Sequence, residues 1–258
     1  MERPFYRHLS MLVPALAFCL QALYAAPHPG LTDGNRAFQD LIYQAYVEDR
    51  IPLWESTLRT MQFEYSQNPE GALLYDILLA QYGLIGYYLG NGRKKEGEAL
   101  LERAEDYVQL LEDIEGYEAS AKLFRASFKA YHITLRPWRS IQLGIRSERL
   151  INEAMALDEE YPRGYLEKGN MLFFAPSIFG GSKKKSIEYY AKAVTLFEKD
   201  LKNNHRWLYL STLVSLANGY KETGDLASAI DALEKALEYE PGFQWVKNEL
   251  LPEFKSAQ

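Results

Sequence analysis

Apolar residues recur three and four positions apart along nearly the whole chain from residue 35 onward. That spacing predicts amphipathic helices, because a helix brings residues i, i+3, i+4 and i+7 onto one face. No bounded stretch of this region alternates strictly between apolar and polar residues, which is the pattern of a half-buried strand. The chain is therefore predicted to be all-α.

The clearest unit, residues 210–243, contains two helical patterns with a turn between them. Leu213 and Ala217 lie on one face of the first pattern. Gly224 supplies the turn, since glycine tolerates the left-handed backbone that often follows a helix, and Pro241 ends the second pattern. This unit is predicted to be a helical hairpin.

The hairpin resembles a tetratricopeptide repeat. All eight signature positions of that family carry the expected class of residue: Leu213, Leu216, Ala217, Tyr220, Ala229, Leu233, Ala236 and Pro241. The three alanines allow the two helices to cross closely, and the large residues fill the remaining space. The resemblance implies a right-handed superhelix of stacked hairpins.

Weaker copies of the unit precede it. One spans about residues 72–113, and another, which contains Tyr165 and Ala193, carries an insertion at residues 175–181. Two divergent hairpins are predicted at residues 35–67 and 117–158. Residues 243–255 are expected to form a capping helix, whose outer face must be polar to end the stack. Together these units predict a single domain over residues 35–258, an α-solenoid of about five antiparallel hairpins.

The charge balance argues against nucleic acid as a partner. The chain carries 29 basic and 35 acidic residues, for a net charge of -6, whereas basic charge supplies most of the affinity for nucleic acid. A single cysteine and four histidines leave little material for a thiolate metal cluster or a disulfide framework.

The first 25 residues have the pattern of a cleavable signal peptide. Arg3 and Arg7 precede a largely apolar stretch at residues 9–23, and Ala25 and Ala26 follow it. We expect cleavage after Ala25, a flexible tail over residues 26–34, no membrane span in the mature chain, and a periplasmic or secreted protein. Two alternatives stay open. One is an uncleaved membrane anchor, and the other is a lipoprotein attached through Cys19. The bulky Phe18 argues against the lipoprotein, because a small residue normally precedes the lipidated cysteine.

The motifs of catalysis are missing from the sequence. It contains no nucleotide-binding glycine loop, no H-E-x-x-H and no G-x-S-x-G. We therefore predict no enzymatic activity, no metal site and no cofactor. The Gly180–Ser186 segment, GGSKKKS, is interpreted as a turn with Ser182 as a helix cap, and an anion site at this helix start is the alternative.

The resemblance also implies which residues bind a partner. In tetratricopeptide proteins the first helix of each repeat lines a concave groove. The equivalent positions include Arg163, Asn170 and Phe173 in one repeat and Asn218 and Lys221 in the last. An asparagine amide can hydrogen-bond an extended backbone at both its C=O and its N–H groups. An approximate register adds three aromatic residues of the third hairpin, Phe124, Phe128 and Tyr131.

These observations predict a non-catalytic, exported scaffold that presents a concave groove to a protein or peptide partner of the cell envelope. The alternative is a ligand-binding accessory subunit of an envelope solute-transport system, because the chain also resembles the periplasmic tetratricopeptide subunits of tripartite transporters. Its partner would then be a small molecule or a transporter subunit. An open polar groove would favour the scaffold, and an enclosed, aromatic-lined interior would favour the accessory subunit.

Overall fold

The computed structural model describes residues 33–202 and 205–257, and this part of the chain is folded into eleven α-helices without strands. The helices are α1 (Asp33–Val47), α2 (Ile51–Gln67), α3 (Gly71–Gly90), α4 (Lys94–Glu112), α5 (Glu118–Leu135), α6 (Ser140–Leu157), α7 (Pro162–Phe174), α8 (Lys183–Lys199), α9 (Arg206–Glu222), α10 (Leu226–Tyr239) and α11 (Leu251–Ser256). The predicted signal peptide and most of the predicted tail lie outside the described residues, and α1 begins two residues before the tail was expected to end.

The first ten helices pair in chain order into five antiparallel hairpins, as predicted. In the last hairpin Gly224 adopts a left-handed backbone with φ of 82°, and Asp225 caps α10 by accepting a hydrogen bond from the Ser228 N–H at 3.1 Å. The small residues Ala217, Ala229 and Ala236 are fully buried where the two helices cross. The predicted all-α solenoid is therefore confirmed.

The chain ends in the predicted cap, in a slightly different form. Residues Val246–Leu250 form one π-helical turn that runs into α11. Phe243, Val246, Leu250 and Phe254 bury one side of this segment against the last hairpin. The opposite side is polar and exposed, which ends the stack without leaving an apolar face open.

The helix at the centre of the fold is α3. Thirteen of its residues are buried, eleven of them hydrophobic, and apolar side chains lie on all sides of the helix. Among the described helices it is the one whose length and apolar composition would allow it to cross a membrane, and 67% of that apolar stretch is buried inside the protein. This extent of burial is typical of a helix in the core of a protein.

The solenoid closes on itself. The first helices of the five hairpins (α1, α3, α5, α7 and α9) contact one another in a complete cycle, which we call the ring, because α1 packs against α9. Aromatic side chains join the first and the last hairpin. The Trp207 ring lies 5.2 Å from the Trp54 ring and 5.7 Å from the Tyr46 ring, and the Tyr43 hydroxyl donates to Glu240 at 2.7 Å. The interior of the ring is consequently narrow and filled by the protein's own side chains.

The insertion in the fourth hairpin is an ordered loop. The Ser182 N–H donates to the Leu172 carbonyl at 2.8 Å, and the Ser182 hydroxyl accepts from the Lys185 N–H at 3.2 Å, which caps α8 as predicted. Lys183 donates to the Phe173 carbonyl at 2.6 Å. These bonds hold residues 175–182 against the end of α7.

Candidate functional site at the centre of the ring

Five of the eight predicted binding residues meet inside the ring. Arg163, Phe124 and Phe128 are at most 1% exposed, while Asn170 and Tyr131 are half-buried beside them. Ring closure explains this burial, because it brings α3, α5 and α7 too close together to leave an open groove between them. The three buried side chains contact protein atoms in this structure, and their role in partner binding stays a prediction.

The centre of the cluster is an ion pair on α7. The Nε atom of Arg163 lies 3.6 Å from an Oε atom of Glu167, one helical turn further along, and both side chains are almost completely buried. None of the three guanidinium nitrogens has a hydrogen-bond partner among the described residues. The guanidinium instead lies 3.7 Å from the centre of the Phe124 ring and 5.2 Å from that of the Tyr82 ring. Such cation–π contacts offset part of the cost of burying the charge.

The carboxyl group of the pair is held in a mixed environment. Burial raises the pKa of Glu167, and the Arg163 guanidinium opposes that shift. Asn170 donates weakly to both Glu167, at 3.4 Å, and the Tyr82 hydroxyl, at 3.5 Å. Its carbonyl accepts from the Tyr190 hydroxyl at 2.9 Å. The amide predicted to grip a ligand is therefore engaged within the protein.

The ring is more open at one end. Six side chains near the carboxyl ends of the first helices are half-exposed, and we call this region the mouth: Tyr82, Tyr131, Asn170, Phe173, Asn218 and Lys221. The Tyr82 and Tyr131 rings stack with their centres 5.8 Å apart. Lys221 forms an ion pair with Glu253 at 2.5 Å. Asn218 makes no hydrogen bond to a described residue, so both ends of its amide remain available.

Sequence reasoning missed Glu167 as a member of this cluster. The available signal was an acidic residue one turn after Arg163, on the inner face of the same predicted helix. Sequence reasoning also gave no role to Asp76. This residue is buried on α3 and is hydrogen-bonded to His205 at 2.8 Å and to Gln39 at 2.8 Å. These polar contacts join α1, α3 and the start of α9, and so support the closed ring.

Comparison with known proteins identifies the repeat. The tetratricopeptide repeat family matches residues 210–243. The HusA haemophore from Porphyromonas gingivalis has a similar structure, with a TM-score of 0.60 and 18% identity over 75% of this chain and 97% of that one. TTC0263, a thermophilic TPR protein of Thermus thermophilus, has a TM-score of 0.58 and 15% identity over 86% and 98% of the two chains. No curated protein matches the sequence. At these identities the likeness shows the fold.

Proposed function

We propose that the protein binds a protein or peptide of the cell envelope at the mouth of its ring. It contains a tetratricopeptide repeat and has a solenoid fold that typically serves as a non-catalytic interaction scaffold. The observation that carries this proposal is the free amide of Asn218 at the same end of the ring as the half-exposed side chains of Tyr82, Tyr131 and Phe173. An amide fixes the direction of an extended backbone, and aromatic rings supply contact area at little entropic cost. The rest of the ring interior is closed, so the mouth is its accessible part.

Asn218→Ala is expected to weaken binding about three- to tenfold, the effect of losing hydrogen bonds worth about 0.5–1.5 kcal/mol. Phe173→Ala should weaken it further, since it removes apolar contact area. The partner is first captured from an envelope extract with the unaltered protein, and calorimetry then measures the affinity of each variant. Asn248→Ala, an exposed asparagine on the cap, is the matched control and should leave affinity unchanged.

Asn170→Ala is a test of stability and not of binding, because its amide already bonds Tyr190 and Tyr82. Undiminished affinity in both Asn218→Ala and Phe173→Ala would place the partner on another surface.

A second function is favoured by the buried arginine. The ring interior is lined by aromatic rings and holds a guanidinium that lacks hydrogen bonds to the described residues. Once the ring opens, this interior would suit a ligand-binding accessory subunit of a solute transporter that takes a small anionic molecule. A similar fold carries the name haemophore in HusA. Native mass spectrometry of protein purified from its own envelope would test this function. A co-purifying small molecule that Arg163→Met releases supports it, and bare protein contradicts it.

Export is part of the proposal and rests on residues 1–25. We expect natively expressed protein to begin at Ala26, because signal peptidase cuts after small residues such as Ala25. Intact mass measurement decides this. A mass that includes residues 1–25 would contradict cleavage, and an added diacylglycerol mass at Cys19 would identify a lipoprotein.

A further inference from the structure

Three neighbouring turns place a concentration of positive charge on one edge of the molecule. Since consecutive helices are antiparallel, the turns α3–α4, α5–α6 and α7–α8 lie on the same edge. Residues 91–95, 136–139 and 175–185 contain eight basic and no acidic residues. These are Arg93, Lys94, Lys95, Arg136, Arg139, Lys183, Lys184 and Lys185, and we call this region the basic edge.

The opposite edge carries the opposite charge. The turns that connect each of these hairpins to the preceding one, residues 68–70, 113–117 and 158–161, contain six acidic and no basic residues. A protein with a net charge of -6 therefore presents one strongly positive surface. Such an arrangement orients a molecule toward a negatively charged partner.

Most of the positive charge on the basic edge is free. Arg93 pairs with Glu96, Arg136 with Glu98, and Lys183 is held by the Phe173 carbonyl. Five other cations are exposed and form no ion pair with a described residue: Lys94, Lys95, Arg139, Lys184 and Lys185. Four of them stand in the first turn of a helix, where the helix dipole disfavours positive charge. A bound anionic surface would relieve that cost.

Large apolar side chains project from the same edge. Six of them are between 49% and 82% exposed: Trp138, Ile141, Ile145, Phe174, Ile178 and Phe179. They come from two neighbouring hairpins, because α6 packs against α7. The hydrogen bonds that hold the 175–182 loop keep Ile178 and Phe179 at its tip. Exposed apolar clusters of this kind mark interaction sites.

We propose that the basic edge docks the protein on an anionic phospholipid bilayer. Tryptophan, phenylalanine and isoleucine at turn tips can enter the headgroup region, while the flanking lysines and arginines contact lipid phosphates. Both kinds of side chain are present around the α5–α6 and α7–α8 turns, and the α3–α4 turn adds further cations on the same side of the molecule. This arrangement suits a broad flat surface. The charge complements anionic lipid, and the apolar tips supply the part of binding that salt does not screen.

The test measures binding of the purified protein, with its N-terminus established by intact mass, to vesicles of phosphatidylcholine with and without one quarter phosphatidylglycerol. Each cation near an anionic membrane contributes about fivefold in partitioning. The triple variant Arg139→Ala, Lys184→Ala, Lys185→Ala should therefore bind anionic vesicles about 100-fold more weakly. The matched control removes three exposed cations elsewhere, Arg59→Ala, Arg103→Ala and Lys247→Ala, and should bind like the unaltered protein.

The apolar contribution has its own readout. Trp54 and Trp207 are buried, whereas Trp138 is 78% and Trp245 38% exposed. Anionic vesicles should shift the tryptophan fluorescence to shorter wavelength, and Trp138→Phe should abolish that shift while Trp245→Phe keeps it. Trp138→Ala is expected to weaken binding about tenfold, and Phe63→Ala, an exposed aromatic on α2, should have no effect.

Three results would overturn the inference: equal binding to neutral and anionic vesicles, equal binding by the two triple variants, or a fluorescence shift that survives Trp138→Phe. Binding of an acidic polypeptide, with no binding to vesicles, would assign the basic edge to a protein partner instead. The outcome is separate from that of the mouth variants, which are measured in solution without lipid.

Discussion

Glu167→Gln is expected to lower the free energy of unfolding by about 3–5 kcal/mol, the range measured when one partner of a buried ion pair is removed. Glutamine keeps the shape of the side chain and an oxygen that can accept the hydrogen bond from Asn170, so the loss of stability comes from the charge. The Arg163 guanidinium would remain fully buried, with no hydrogen bond to a described residue and no counter-charge. Arginine cannot escape this state by releasing its proton, because a guanidinium stays protonated at any pH at which the protein is folded. Urea unfolding followed by circular dichroism measures the effect.

Removal of the arginine, in Arg163→Met, should lower the free energy of unfolding by less than Glu167→Gln does. The size of this decrease should depend on pH. In Arg163→Met the remaining carboxyl group can take up a proton. Burial already raises the pKa of Glu167, and loss of the guanidinium removes the main influence that lowers it. A carboxyl whose pKa is higher in the folded than in the unfolded state stabilises the fold below the unfolded value of about 4.3. That stabilisation is lost as the pH rises through the folded pKa.

Unfolding of Arg163→Met should therefore become easier as the pH rises from about 4 toward neutrality. The double variant Arg163→Met, Glu167→Gln removes both charges, and its stability should lack this slope. Equal losses for the two single variants, without a difference in pH dependence, would show that the pair is not a coupled buried charge pair.

The local pattern of the sequence was sufficient for the helices and their pairing. In the last hairpin Leu213, Ala217, Gly224 and Ala236 each occupy the position that their size and backbone preference predict. Such contacts lie within about 30 residues of one another, so periodicity and turn chemistry determine them. The helix cap at Ser182 was predictable for the same reason.

Ring closure was not predictable in this way, and it changes the site. The contact between α1 and α9 joins residues about 160 positions apart, and no local pattern encodes it. Without closure, the register of a tetratricopeptide repeat places Arg163 and Phe124 in an open groove. With closure, both become interior residues and the accessible surface moves to the mouth and the edges. A resemblance carried by one repeat predicts how helices pair, but the curvature of the whole stack depends on its divergent repeats.

Trp207→Ala is expected to destabilise the protein by about 3–5 kcal/mol, the usual cost of truncating a buried aromatic side chain to alanine. Trp207 is 4% exposed and packs against Trp54 and Tyr46, which belong to the first hairpin. The fit is tight, since a Cβ atom at Gly83 would come within 3.0 Å of the Trp207 ring. Loss of the indole would leave a cavity at the contact that joins the first and last hairpins.

The helices that lose hydrogen-exchange protection in Trp207→Ala distinguish ring closure from ordinary core packing. Hairpins of an open solenoid depend only on their neighbours, so damage in α9 would not reach α1. In a closed ring, Trp207→Ala should reduce hydrogen-exchange protection in both α1–α2 and α9–α10, while α5–α8 keep more of theirs. Phe128→Ala, which truncates a buried aromatic in α5, is the matched control and should affect the central hairpins first. Protection lost in α9–α10 alone would mean that the contact between α1 and α9 carries little of the stability, and that the ring opens readily enough for the interior around Arg163 to receive a ligand.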